Sequence, residues 1–530
     1  MMEHDLAYDA IVIGAGHNGL VAAAYLAEAG KRVLVLEAES EVGGAAVTAE
    51  IAPDYMSSAG AHLLYAWPQR IEKDLKLAKH GFEMASRDMV TVALDKDGKH
   101  LVLPASSRAD IARLKDRSPR DAEAYGPFMK RVQRYAGLLQ PLLEKGLPVP
   151  GEGAKQAATD ALSFIWRFEK MGEEDRQELG RFLPASMAQV LDRTFEDPLL
   201  KAALAMDATL GHHMGPKSPG SAYQYIYRLA QQNIAGGKMG YPAGGIGALP
   251  QALARLIGES EGRVRTNSQV RHILVSDSGE TEGVVLTDGT KFHAPIVLSS
   301  LDPRRTYLDL LGAAHLAPEQ TRRLGGWRMQ GACAKINLAL EGLPIIEGLE
   351  EREYGGRWLI APDMTAMERA FVAAKRHELA VEPIMEIVLP SYHDPRAAPP
   401  GHHTMSILLP HVPYDLNGGW DARRDEFTKR VVDAVAVYAP DIKLKLIAGE
   451  ILTPPEIERR FGVPGAGWHQ GDMSLDQTLL FRPGYGLSHD DGPVRGLYLC
   501  GSGTHPGGGL TGEPGRLAAA HVLEGGRTHV

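Results

Sequence analysis

The first forty residues constrain this chain more than any other stretch. Residues 8–13 (YDAIVI) form a short apolar, β-branched run that stops at Gly14, and residues 19–30 then carry Leu20, Ala23, Ala24 and Leu26 at helical spacing. Between them stands Gly14-Ala15-Gly16-His17-Asn18-Gly19, a GxGxxG. Gly14 permits the tight turn, Gly16 lets backbone approach a pyrophosphate at the helix N-terminus, and Gly19 lets the helix pack closely on the strand. Residues 33–37 (VLVLE) read as a second strand, and Glu37 closes it 23 residues past Gly14, where the dinucleotide fingerprint wants an acid at about 20. An acid there accepts from ribose hydroxyls and disfavours a 2′-phosphate. The pattern therefore predicts a βαβ unit for an unphosphorylated adenosine cofactor such as FAD or NAD.

A second glycine pair, Gly43-Gly44-Ala45-Ala46, follows the acid. A plain NAD dehydrogenase has no need of it, whereas FAD extends beyond its adenine half and gains from another loop of exposed backbone donors. At the far end, residues 496–512 (GLYLCGSGTHPGGGLTG) run from a short strand into a glycine-dense loop, and residues 516–523 then read as a helix. Gly501, Gly503 and Gly512 are the candidate cofactor contacts there. A loop at a helix N-terminus aims N–H groups at an anion, and a reduced flavin carries its charge near N1 and the C2 carbonyl.

Taken together, the GxGxxG, the acid, the following GG and the closing glycine segment resemble the FAD-binding superfamily of monoamine oxidases and phytoene desaturases. The Gly-Thr-His-Pro-Gly wording is similar to the carotenoid desaturase and ketolase branch and to relatives labelled as pyridine nucleotide-disulfide oxidoreductase domain proteins. The sequence departs from the pattern in two places. Ser502 follows Gly501 where the amine-oxidase branch has an acid, and Ala45-Ala46 stands where many members place an arginine beside the pyrophosphate, leaving backbone and dipole to bind it. The resemblance implies an α/β fold: a Rossmann-type FAD-binding domain built from discontinuous segments, with an inserted α+β substrate domain. The expected division is 1–107, 236–311 and 484–530 for FAD binding, 108–235 for a helical cap, and 312–483 for a substrate sheet with helices. It also implies that backbone near Val270 meets the adenine.

Composition narrows the partners. The net charge is −9, with 57 basic against 66 acidic residues, which argues against nucleic acid. Cys333 and Cys500 are the only cysteines, so there is no CxxC, no Cys/His zinc spacing and no disulfide framework; no metal is expected, and no redox disulfide can carry electrons. The acidic opening Met1-Met2-Glu3-His4-Asp5 is the reverse of a signal peptide, which gives an expectation of cytoplasmic location. No apolar run of ~18 residues is present. Shallow membrane attachment stays open, as does a homo-oligomer. Residues 128–135 (FMKRVQRY) mix aromatic and basic side chains that could touch a membrane surface or form an ordinary solvated helix face.

A flavin accepts a hydride, so the protein must orient a C–H bond, exclude water and manage one proton. Lys335, in Ala-Lys-Ile-Asn-Leu, matches by resemblance the strand position at which amine-oxidase relatives hold a lysine bridged by water to the flavin; the alternative is a strand lysine facing solvent. His505 lies in the closing glycine loop, where it contacts ring or substrate or braces the loop. His62 follows the segment that returns toward the flavin. His469 and Asp472 read as a satisfied loop pair, and Cys500 as a small core thiol. The expected activity is FAD-dependent hydride transfer from an apolar carotenoid, isoprenoid or lipid substrate. Two alternatives stay open: a flavin amine oxidase making imine and hydrogen peroxide, and an FAD-binding assembly or regulatory protein with little turnover.

Overall fold

Strands β1 (Ala10–Ile13) and β2 (Val33–Leu36) are buried along their whole length. Parallel strands covered by helices on both faces must be so, which is why they read as continuous apolar runs and not as alternating ones. The computed structural model describes residues 8–104, 107–145, 165–484, 487 and 492–525. The expected joint at residues 146–153 lies outside these. Helix α1 (His17–Glu28) connects the two strands, and Gly19 sits where an added Cβ would fall 2.2 Å from the Gly14 carbonyl oxygen.

Among the described residues, five parallel strands form the nucleotide-side sheet in the order Leu497–Leu499, Val297–Ser299, β1, β2, Gly262–Arg265. Three distant stretches of chain thus meet in one sheet, as the discontinuous reading expects. The closing helix Glu513–Leu523 packs on α1 so closely that a Cβ on Gly515 would lie 2.1 Å from the Asn18 carbonyl oxygen.

A second sheet of seven strands runs Leu446–Leu452, Cys333–Leu340, His403–Pro410, Met385–Val388, Arg357–Ile360, Thr91–Ala93, Leu101–Leu103. Its last two members differ from the expected division, which gave everything up to residue 107 to the nucleotide side. The chain has already crossed by residue 91, because Thr91 pairs in parallel with Arg357. On Cys333–Leu340, Ala334, Ile336, Leu338 and Leu340 join a core with Phe427, Val431 and Val435 of the helix Trp420–Ala436. Lys335 and Asn337 alternate to the other face, toward the nucleotide side, where Ser57 Oγ donates to Asn337 Oδ1 at 3.0 Å.

The third layer is helical, from Arg108–Arg117 to Ser221–Ile234. Its ends are set locally: Ser107 and Asp110 make a capping box, and Asp197 accepts from the Leu200 amide ahead of Pro198. The helix Pro119–Lys145 corrects the membrane-facing reading of residues 128–135. Phe128 packs edge-on against Phe195 at 5.1 Å and Tyr135 against Phe182 at 5.5 Å, so both rings are core and only Lys130 and Arg134 face outward. Among the described residues, no helix is long and apolar enough to cross a membrane.

Candidate functional site

The carboxyl ends of β1 and β2 open into a cleft of ≈ 1130 Å³ whose lining includes Gly14, Gly16, Glu37, Gly43, Val270 and Ser502, with Gly44 beside Gly43. Gly14 is at φ +89°, a conformation a side chain would strain, and a Cβ there would strike Ser300 Oγ at 2.5 Å. Gly16 caps α1 without a side-chain partner for the first-turn amides, and no atom lies within 4 Å of where its Cβ would stand. The second glycine pair docks on the first loop: the Gly43 amide donates to the Ala15 carbonyl at 2.8 Å. Glu37 is buried, accepting from the Ala15 amide at 2.6 Å and the Glu39 amide at 3.0 Å, while burial pushes its carboxyl upward. Val270 begins the strand Val270–Val275.

Ser502 ties the chain's two ends together, accepting from Asn18 Nδ2 at 3.1 Å. The closing loop needs small residues because it lies against a neighbouring turn. A Cβ on Gly501 would fall 2.4 Å from the Ser300 carbonyl oxygen, and one on Gly503 would fall 2.3 Å from Pro303 Cδ. Gly512, at φ +69°, starts the closing helix. Two residues of this framework carry no motif and went unread in the sequence. Gln470 accepts from the Gly503 amide at 3.0 Å and donates to the Ser300 carbonyl at 2.9 Å. Arg482, fully buried, donates to the carbonyls of Ser502 and Gln477, and desolvation lowers it to about 10.

The donor set fits FAD. Beside the open cradle at Gly16, His17 Nε2 and Asn18 Oδ1 are buried without partners at the mouth of α1. A cation that the motif does not reveal stands near the gap at Ala45-Ala46: Arg305 lines the cleft, its guanidinium donating to the Gly462 carbonyl at 3.3 Å and its backbone amide to Asp302 Oδ1 at 3.0 Å. Arg305→Ala is expected to weaken FAD binding about tenfold, read by titrating the apoprotein with FAD and following flavin fluorescence. An unchanged dissociation constant would dismiss that role.

Past Ala45 the cleft gives way to buried polar groups. The Ala61 amide donates to the Ala45 carbonyl at 2.9 Å, which brings His62 to this end. His62 Nε2 meets Glu386 Oε1 at 2.8 Å, and its Nδ1 is buried with no partner. Desolvation lowers the imidazole to about 4, so it is neutral at pH 7. Lys335 faces inward, fully buried, its Nζ without a partner; desolvation drives it well below the usual lysine range against the pull of Glu386 and Glu450. Glu386 was not singled out in the sequence. It stays ionised despite burial because Arg357 and His62 hold it. Arg357 bonds Glu386 through Nε and lies 2.8 Å from Asp207, which also meets Arg228 at 3.1 Å.

The structure does not bring the other histidines to this point. His505 Nε2 bonds the Leu142 carbonyl at 2.8 Å, bracing the closing loop on the helical layer. His469 and Asp472 do not pair: His469 stacks on His212 with centroids 4.7 Å apart, and Asp472 accepts from the Gln330 amide at 2.8 Å. Cys333 and Cys500 are both free and buried, and burial pushes both thiols up, so neither is a thiolate at neutral pH. Among the described residues, no group of three or more side chains could hold a metal ion.

The family model described as flavin containing amine oxidoreductase matches residues 19–523. A mouse (Mus musculus) protein named pyridine nucleotide-disulfide oxidoreductase domain-containing protein 2 is 35% identical, over 97% of this chain and 93% of its own. The lycopene-forming phytoene desaturase of Paracoccus sp. (strain N81106 / MBIC 01143) is 25% identical over 97% of each chain. Among solved structures, wild-type putrescine oxidase bound to putrescine superposes with a TM-score of 0.62 at 16% identity, covering 98% of this chain and 99% of that one.

Proposed function

As a member of the flavin containing amine oxidoreductase family, this chain is an FAD-dependent oxidoreductase, and we propose that it desaturates an apolar substrate of carotenoid, isoprenoid or lipid type. FAD, when bound, supplies a two-electron acceptor for a hydride. The rest falls to the protein. The helical layer and the seven-stranded sheet exclude water, and His62, neutral at pH 7, stands with Lys335, whose ammonium form burial disfavours, where a proton must leave.

One observation carries the choice of substrate class. An ammonium substrate calls for an uncommitted anion, and the two carboxylates that act on Lys335 are both already paired, Glu386 with Arg357 and Glu450 with Arg460 at 2.6 Å. Ser502 in place of an acid points the same way, and the near full-length likeness to a phytoene desaturase supports it. The test is anaerobic mixing of the FAD-loaded protein with phytoene, a monoterpene or putrescine, followed by the bleaching of flavin absorbance. Bleaching by either apolar probe is expected. Bleaching by putrescine alone would replace this reading with the amine oxidase, and no bleaching by any of them would favour the regulatory one.

Lys335→Met should leave FAD bound, slow flavin reoxidation in air by roughly tenfold or more, and raise the melting temperature, since it removes a buried amine that has no partner. Stopped-flow reoxidation and thermal melting measure both effects. Unchanged reoxidation would retire Lys335 from the chemistry.

A further inference from the structure

His62, on the segment beside the cofactor cleft, and Glu386, in the seven-stranded sheet, are far apart in sequence yet share a 2.8 Å contact that is only 3% exposed on either side. The partner of a neutral imidazole decides which ring nitrogen carries the hydrogen. A carboxylate is acceptor-only, so Nε2 must donate to Glu386 Oε1. Nδ1 is then the unprotonated nitrogen, and it is the one buried without a partner.

The carboxylate is held in turn by groups from the other layers. Its second oxygen takes Arg357 Nε. Arg357 lies 2.8 Å from Asp207 and donates to Thr91 Oγ1 at 3.4 Å. Asp207 comes from the helical layer, where it also meets Arg228, whose guanidinium lies over the Tyr65 ring at 3.5 Å. Cofactor-side segment, sheet and helical cap are thus joined through one run of ionic contacts, and His62 is its terminus. Each anion in it is matched by a cation, which leaves His62 Nδ1 and Lys335 Nζ as two buried basic atoms with nothing to bind. Unsatisfied buried polar atoms cost stability, and their presence here points to a ligand that completes them.

We propose that Glu386 is a positioning residue: by fixing the hydrogen of His62 on Nε2, it presents Nδ1 as the atom that takes the substrate proton. The inference rests on the desaturase reading above and names its proton acceptor. Loss of hydride from one carbon leaves the neighbouring C–H bond acidic. Its proton passes to Nδ1, its electron pair becomes the second bond of the new C=C, and Glu386 stabilises the imidazolium so formed, as a buried carboxylate does for a catalytic histidine. The charged groups that act on His62 are Glu386, Arg357 and Lys335, and the carboxylate is the one that favours protonation.

The test uses FAD-loaded protein labelled with 15N-histidine, the His62 signals being identified by their loss in His62→Gln. His62 is expected as the Nε2-protonated tautomer at neutral pH in the native protein, and as a mixture in Glu386→Gln. The same variant should retain its FAD yet be bleached by phytoene at least tenfold more slowly, with a shifted pH profile that Glu386→Asp partly restores. A native His62 protonated on Nδ1 would overturn the proposal even if Glu386→Gln fails to fold, and so would a tautomer indifferent to Glu386→Gln. If phytoene leaves native flavin unbleached while the tautomer responds as described, the substrate reading fails and the positioning role stands.

Discussion

Arg357→Met is expected to destabilise the FAD-saturated protein by about 3–5 kcal/mol, the usual cost of removing one partner from a buried ion pair. Arg357 is fully buried and serves two carboxylates, those of Glu386 and Asp207. Its guanidinium is held charged, against the desolvation of full burial, by the pair of them. Methionine fills much of the same volume, so the loss would come from the two anions left behind and not from a cavity. Denaturant unfolding would measure it, and the double variant Arg357→Met/Glu386→Gln should lose distinctly less than the two single variants added together. Strict additivity would mean that the two side chains do not depend on each other.

Acid should be the second large stress. His17, His62, His212, His411 and His469 are all buried, and desolvation lowers each: His17 and His62 to about 4, His411 and His469 to about 3, and His212 well below its usual value. The unfolded chain takes up protons at these positions near pH 6.5 and the folded one does not. Their contribution is therefore intact above pH 6.5 and lost progressively as the pH falls toward 4. At pH 5 His17, His62, His411 and His469 each cost about 2 kcal/mol. Glu386, whose pKa is depressed on folding, adds to the loss below about 4.5, where the unfolded carboxyl protonates. Melting temperatures taken from pH 7 down to pH 5 should fall steeply, and His411→Gln, distant from the cofactor residues, should flatten the slope. A melting temperature level across that range would show that these imidazoles are solvated.

The nucleotide half of the fold was legible because its signals are local. Three glycines, an apolar run and an acid act through backbone sterics and burial within about 30 residues, and the structure has them in that arrangement, with Glu37 against the loop of Ala15. The second sheet was legible as an expected substrate sheet within residues 312–483 but not in its membership. Thr91–Ala93 is three residues long, and only its pairing with Arg357–Ile360 says which sheet it joins. The alternation in Cys333–Leu340 puts Lys335 and Asn337 on one face, yet both faces are buried, so it could not say which looks inward.

His505 shows the same limit from the other side. Its place among the closing glycines suggested chemistry, while its hydrogen bond goes to a helix end whose position no local rule supplies. Arg305, Gln470, Arg482 and Glu386 were invisible for a common reason: a lone charged or amide residue carries no periodicity, and each acquires its role from a partner brought in by folding.

By itself, then, the sequence determined the βαβ turn and the kind of nucleotide it can accept, since short-range backbone geometry dictates both, while the return of the closing glycines was legible only through the family resemblance. The tertiary structure alone decided which charges neutralise one another and which nitrogen of His62 is left open. Those depend on contacts such as His62 to Glu386, between residues that nothing in the sequence links and that only the packing of three layers brings within 2.8 Å.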